Sequence, residues 1–202
     1  MLDKINKSLR RVPTWVIYLL GLLPLGFIIF QTVTGTIGPD PVKGIEWSLG
    51  LWTLRFLIAT LCITPLRWVG LNLIKFRRQF GLVAFAYVVL HFTTWLTLDM
   101  ALRWSQIIPD LFKRWYILIG MSALLLLIPL AITSNNTMVR RMGALNWNRL
   151  HKLAYLATAL GTVHFLMVGK VYTGQQQIYA AVVLILLAAR VVKNGPKKLI
   201  WT

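Results

Sequence analysis

Residues 149–166 read RLHKLAYLATALGTVHFL. The stretch is apolar enough to lie in a membrane, yet it carries two of the chain's three histidines, His151 and His164. An ionisable side chain in a bilayer is costly and usually has a task. Whether this stretch is a membrane span decides the class of the whole protein, and the rest of the chain answers in the same sense. Of the 202 residues, 57% are hydrophobic and only 13% charged, and the mean hydropathy is +0.68. Nine Trp, nine Phe and six Tyr are enough to furnish aromatic belts at two membrane interfaces.

A spanning helix needs about 20 mostly apolar residues. Six stretches meet or approach that length: Thr14–Val33, Trp47–Val69, Gln79–Leu98, Trp115–Thr133, Trp147–Val168 and Gln177–Val192. The expected fold is therefore an all-α integral membrane protein, a six-helix bundle forming one domain over residues 1–202. The first apolar run is too long for a typical signal-peptide core, and no small-residue cleavage site follows it. Cys62 is the only cysteine, which excludes an internal disulfide framework.

The net charge of +17 would suit nucleic acid if it were clustered on one surface, but it is distributed by loop. Sixteen of the 22 Lys and Arg residues fall at the N-terminus, in the second and fourth loops and in the C-terminal tail; Lys197 and Lys198 are among them. The opposite loops hold Lys43, Arg103, Lys113, Arg114 and Lys170. The positive-inside rule then puts both termini in the cytoplasm, and the charge reports topology rather than a nucleic-acid partner.

With that orientation the third and fifth spans run in the same direction. His91 lies ~10 Å from the outer end of span three, and His164 lies at a similar depth in span five. His151, beside Arg149 and Lys152, lies ~20 Å further along at the cytoplasmic surface. Two imidazoles level with each other on neighbouring helices suit the two axial positions of a haem iron. Gly81, Ala84, Ala86 and Gly161 leave room nearby for a flat macrocycle. Packing histidines and a proton relay are the competing readings. Zinc is disfavoured, because three histidines at two depths do not make one tetrahedral site.

Arg55 is the one basic residue well inside a span, at a depth close to that of His91 and His164. It is read either as the partner of haem propionates or as a side chain snorkelling to the outer interface. His151 stays open. On an ideal helix it is ~140° round from His164, and the residues opposite it on span three are Arg77, Arg78 and Gln79, none a usual iron ligand. It marks a second, inner cofactor site flanked by Arg77 and Arg78, or the border of a flavin or quinone, or a helix cap at the interface. The loop GTIGPDPVKGIE, Gly35 to Glu46, is long enough to dock a partner or cover a cofactor edge, and equally serves as a plain turn.

DPVK at Asp40–Lys43, CITPLR at Cys62–Arg67, RRQFGL at Arg77–Leu82, LHF around His91 and WNRLHKLAYL at Trp147–Leu156 occur in this order along nearly the whole chain. Together they resemble the MsrQ family, formerly YedZ. More broadly, histidines on spans three and five are similar to the ferric reductase and NADPH oxidase transmembrane domain. The resemblance implies a haem b membrane subunit in the bacterial inner membrane. It implies electrons from the quinone pool or a cytoplasmic flavin reductase, delivered to a periplasmic molybdenum-cofactor partner, MsrP, which reduces methionine sulfoxide in oxidised proteins. The family's histidines match His91, His151 and His164, and flavin mononucleotide (FMN) is also ascribed to the family. Oxidase relatives carry two histidines on each of two helices for two stacked haems; here span three has one. No Gly-rich nucleotide motif supports a flavin or dinucleotide site independently. The rival functions are a stand-alone transmembrane quinol or ferric-type reductase and, in another class, a histidine-relay proton channel or transporter.

Overall fold

In the computed structural model, residues 2–169 and 173–194 are described, and every regular element among them is helical. Lys170, Lys197 and Lys198, part of the charge distribution above, lie outside the described residues. The helices are α1 (Leu2–Arg11), α2 (Val16–Val33), α3 (Pro41–Trp68), α4 (Arg77–Thr94), α5 (Trp104–Lys113), α6 (Trp115–Ile132), α7 (Asn136–Leu150), α8 (Leu153–Met167) and α9 (Gly174–Asn194). A 3₁₀ turn, Ile74–Phe76, leads into α4, and a π-helical turn, Trp95–Asp99, extends it.

Five of these units are long and apolar enough to cross a membrane: α2, α3, α4 with its two flanking turns, α6 and α9. Their surfaces carry large apolar side chains, with Leu23 at 67%, Phe30 at 60% and Ile185 at 67% exposure. A belt of that kind needs lipid rather than water around it. The hydroxyls of Thr53, Thr60, Thr158 and Thr162 each turn back onto the carbonyl four residues earlier, at 2.7–2.9 Å. Polar groups satisfied within their own helix are what an apolar surround requires.

The expected fifth span is the main departure. Trp147–Val168 is not one helix: α7 ends at Leu150, the chain turns through His151 and Lys152, and α8 covers only 15 residues. His151 and His164 therefore lie on different elements, and the ~140° offset expected of one ideal helix does not apply. Three further helices, α1, α5 and α7, occupy stretches that hydropathy alone left as termini and loops.

The core is organised on α3, which packs on α2, α4, α8 and α9; α6 packs on α8. Leu49, Leu54, Leu57, Leu61 and Ile63 of α3 are all buried. Helix α3 starts six residues before the expected Trp47. Asp40 caps it by accepting from the Lys43 N–H at 3.1 Å, and Pro41 stands at its first position. That early start makes Glu46 a helical residue, which matters for the site.

Candidate functional site

His91 projects from α4 and His164 from α8, and their ring centres are 6.2 Å apart with planes inclined at 79°. Each ring is held from behind by a main-chain carbonyl of a third or fourth helix. His91 Nδ1 bonds Glu46 O of α3 at 2.8 Å, and His164 Nδ1 bonds Tyr116 O of α6 at 2.7 Å. A carbonyl only accepts, so both rings carry their proton on Nδ1 and, as neutral imidazoles, keep a lone pair on Nε2. This arrangement orients a metal-bound histidine and raises its basicity.

The spacing fits one ion between two rings. Imidazole nitrogens bind first-row metals at ~2.0–2.1 Å, which puts the centres of two opposed rings roughly 6.3 Å apart. The rings also border empty space. Two overlapping clefts, of about 120 Å³ and about 280 Å³, share Lys43, Glu46, Gly50, Leu54, His91, Tyr116, Gly161 and His164 as lining. The walls are largely apolar, with Leu57, Val88, Leu124 and Ala157 in the first cleft. Gly161 lines both clefts; Gly81, Ala84 and Ala86 line neither. Among the described residues no three His, Cys, Asp or Glu side chains converge to hold a bare metal ion. Two apposed imidazoles beside apolar clefts suit a flat metallo-macrocycle better than a naked cation.

The charged lining of the first cleft is gathered by ion pairs. Lys43 Nζ bridges Glu46 at 3.2 Å and Asp99 at 2.7 Å, tying the start of α3 to the turn after α4. Arg114 pairs with Asp110 at 3.3 Å and donates to Tyr116 Oη at 3.2 Å. Lys43 and Arg114 are the basic side chains that line the cleft. Arg55 does not line either one. Its Nε donates to Tyr179 Oη at 2.7 Å, and its guanidinium lies 4.5 Å over the Trp52 ring, between α3 and α9.

His151 also lies away from both clefts. It stacks on Trp147, ring centres 3.8 Å apart, and its Nε2 is 3.1 Å from Thr133 Oγ1. The Thr133 hydroxyl donates its single proton to Pro129 O at 2.7 Å, so His151 donates from Nε2 and keeps its lone pair on Nδ1. This is the opposite tautomer to the paired histidines. Burial, then the Arg77 and Arg78 charges, push its pKa down to about 4, so the ring is neutral at pH 7. Arg78 reaches from α4 to Asn136 Oδ1 of α7 at 2.7 Å. The structure thus brings His91 and His164 together and sets His151, Arg77 and Arg78 apart in a separate inner cluster.

Sequence reasoning missed Gly50, Gly120 and the carbonyls of Glu46 and Tyr116. No residue type announces a carbonyl that will receive a side chain from another helix.

Residues 44–162 match the family of the ferric reductase like transmembrane component. Proteins from Brucella ovis, Brucella canis and Brucella melitensis biotype 2, each described as protein-methionine-sulfoxide reductase heme-binding subunit MsrQ, are 47% identical over 180 residues. The match covers 89% of this chain and 81% of each relative. No solved structure matches the chain.

Proposed function

Since the chain belongs to the ferric reductase-like transmembrane family and, within it, to the MsrQ family, we propose that it is a haem b electron-transfer subunit held between His91 and His164. It passes electrons from the quinone pool or a cytoplasmic flavin reductase to MsrP, a periplasmic molybdenum-cofactor reductase that repairs oxidised methionines. The observation that carries this reading is the matched pair of imidazoles 6.2 Å apart, both protonated on Nδ1 by carbonyl contacts.

A haem bound there supplies one-electron transfer across an otherwise insulating bilayer. The remaining work belongs to the chain's own side chains. His91 and His164, each keeping a lone pair on Nε2, would hold the haem iron, and an iron held by two histidines would have no open site for oxygen or substrate. Apolar residues on α3, α4 and α6 keep water from the ring edges. Lys43 and Arg114 border the cleft and would meet propionate groups only by giving up their pairing with Glu46, Asp99 and Asp110, while Arg55 is engaged by Tyr179 and Trp52. His151, Arg77 and Arg78 form the inner cluster where a second haem, an FMN or a quinone would be received and electrons would enter.

The topology follows the same reading. Helix α8 is the sixth crossing, ~22 Å long at helical rise, with Arg149 and Lys152 at its inner end and α7 lying along the cytoplasmic surface. Both termini face the cytoplasm of a bacterial inner membrane, and residues 1–202 form one domain.

The reduced-minus-oxidised visible spectrum of purified, haem-replete protein tests the reading. A low-spin b-type spectrum is expected, and it should be lost in both His91→Ala and His164→Ala. A colourless wild type points to transport instead. An unchanged spectrum in both variants refutes the ligand pair. Copurification with a molybdoprotein separates the subunit from a stand-alone reductase.

A further inference from the structure

Glu46 and Gly50 on α3, and Tyr116 and Gly120 on α6, make the same arrangement twice. In each, a carbonyl receives Nδ1–H of a histidine from another helix, and the residue one turn later is a glycine lying against that ring. A Cβ on Gly50 would stand 3.1 Å from both Cε1 and Nδ1 of His91. A Cβ on Gly120 would stand 2.7 Å from Nδ1 and 2.9 Å from Cε1 of His164.

The geometry of an α-helix explains the spacing. The carbonyl of residue i points along the axis toward residue i+4, and every Cβ tilts back toward the N-terminus. A side chain at i+4 therefore covers the lateral approach to that carbonyl; a glycine leaves it open. Glycine is the least favourable helix-interior residue apart from proline, so two of them at this spacing, each under a histidine, need a reason. Gly21 and Gly44 are confined too, but against Val83 and Ile37 rather than a histidine, and a Cβ on Gly26 or Gly81 would meet nothing within 4 Å.

We propose that Gly50 and Gly120 are positioning residues that set the ring planes of the two iron ligands, by admitting each imidazole to the carbonyl one turn earlier. The inference rests on the haem reading above. The angle between two axial imidazole planes governs the g anisotropy of a low-spin ferric haem, so the 79° inclination makes orientation directly observable.

The test is electron paramagnetic resonance (EPR) of the purified ferric full-length chain, with carbon monoxide binding to the ferrous form. Wild type should show a strongly anisotropic low-spin signal and no carbon monoxide complex. Gly50→Ala should keep its haem and shift the largest g value, because a 3.1 Å contact is relieved by a small ring movement. Gly120→Ala should lose most of the low-spin signal and gain a carbon monoxide complex, because a 2.7 Å contact displaces His164. Gly26→Ala should match wild type. Wild-type g values and no carbon monoxide binding in both Gly50→Ala and Gly120→Ala would overturn the inference while leaving the haem reading intact. If Gly120→Ala fails to accumulate, Gly50→Ala decides alone, and unchanged g values in it overturn the proposal. A wild type without low-spin haem overturns the haem reading and this inference with it.

Discussion

Arg55 offers the sharpest separation between a cofactor role and a structural one. Its Nε–H donates to Tyr179 Oη at 2.7 Å, and its guanidinium sits 4.5 Å over Trp52. A hydrogen bond from a charged donor contributes ~1.5–3 kcal/mol, and a cation–π contact adds about 0.5–2 kcal/mol. Against this, an arginine at mid-helix in a membrane costs roughly 2.5–3.5 kcal/mol on insertion scales. Arg55→Met removes the gain and the cost together, so at the midpoints of these ranges its net effect is small, about 0.5 kcal/mol. Tyr179→Phe removes the partner and keeps the charge, so it should destabilise by the full ~1.5–3 kcal/mol. At ~2–4 °C per kcal/mol for a chain of this size, Tyr179→Phe lowers the melting temperature by about 3–12 °C, and Arg55→Met by much less. The double variant should recover most of the Tyr179→Phe loss. The assay is thermal unfolding in detergent beside a haem spectrum, and all three variants should keep wild-type haem content and potential. Haem loss or a shifted potential in Arg55→Met, with Tyr179→Phe unaffected, would show that Arg55 serves the cofactor and that this reasoning is wrong.

The lowered pKa of His151 gives a second test. Between its ordinary value of 6.5 and its folded value of about 4, the unfolded chain binds a proton that the folded chain does not. The stability owed to neutral His151 is thus complete above pH 6.5 and is lost as pH falls through about 4. Melting temperatures of His151→Gln should depend less on pH across that window than wild type; parallel profiles would refute it. At the α2–α4 contact, a Cβ on Gly21 would stand 2.8 Å from Val83 Cγ1, so Gly21→Ala should cost ~1–3 kcal/mol by overpacking. Adding Val83→Ala should restore part of that loss, and an additive double variant would show that the two side chains do not meet.

The common level of His91 and His164 was readable because helical rise is a property of a single segment. His91 and His164 counted to the same level before any contact was known. The break at His151–Lys152 was not readable, since RLHKLAYL suits a continuing helix as well as a turn, and the turn is held by Trp147 stacking on His151 and donating to Thr133 O at 2.8 Å. Arg55 illustrates the same limit. Its depth matched that of the two histidines, but its direction around α3 turned it toward α9.

By itself the sequence determined the class of the protein, the approximate positions of its apolar helices and the common level of two imidazoles. Those properties depend on composition and on counting along one segment. Only the tertiary structure decided which carbonyls fix the imidazoles, why Gly50 and Gly120 are glycines, which cations border the cleft, and that α8 begins after His151. Each of these depends on how one helix is rotated against another, and a rotation of a few tens of degrees changes every such contact while leaving hydropathy and spacing untouched.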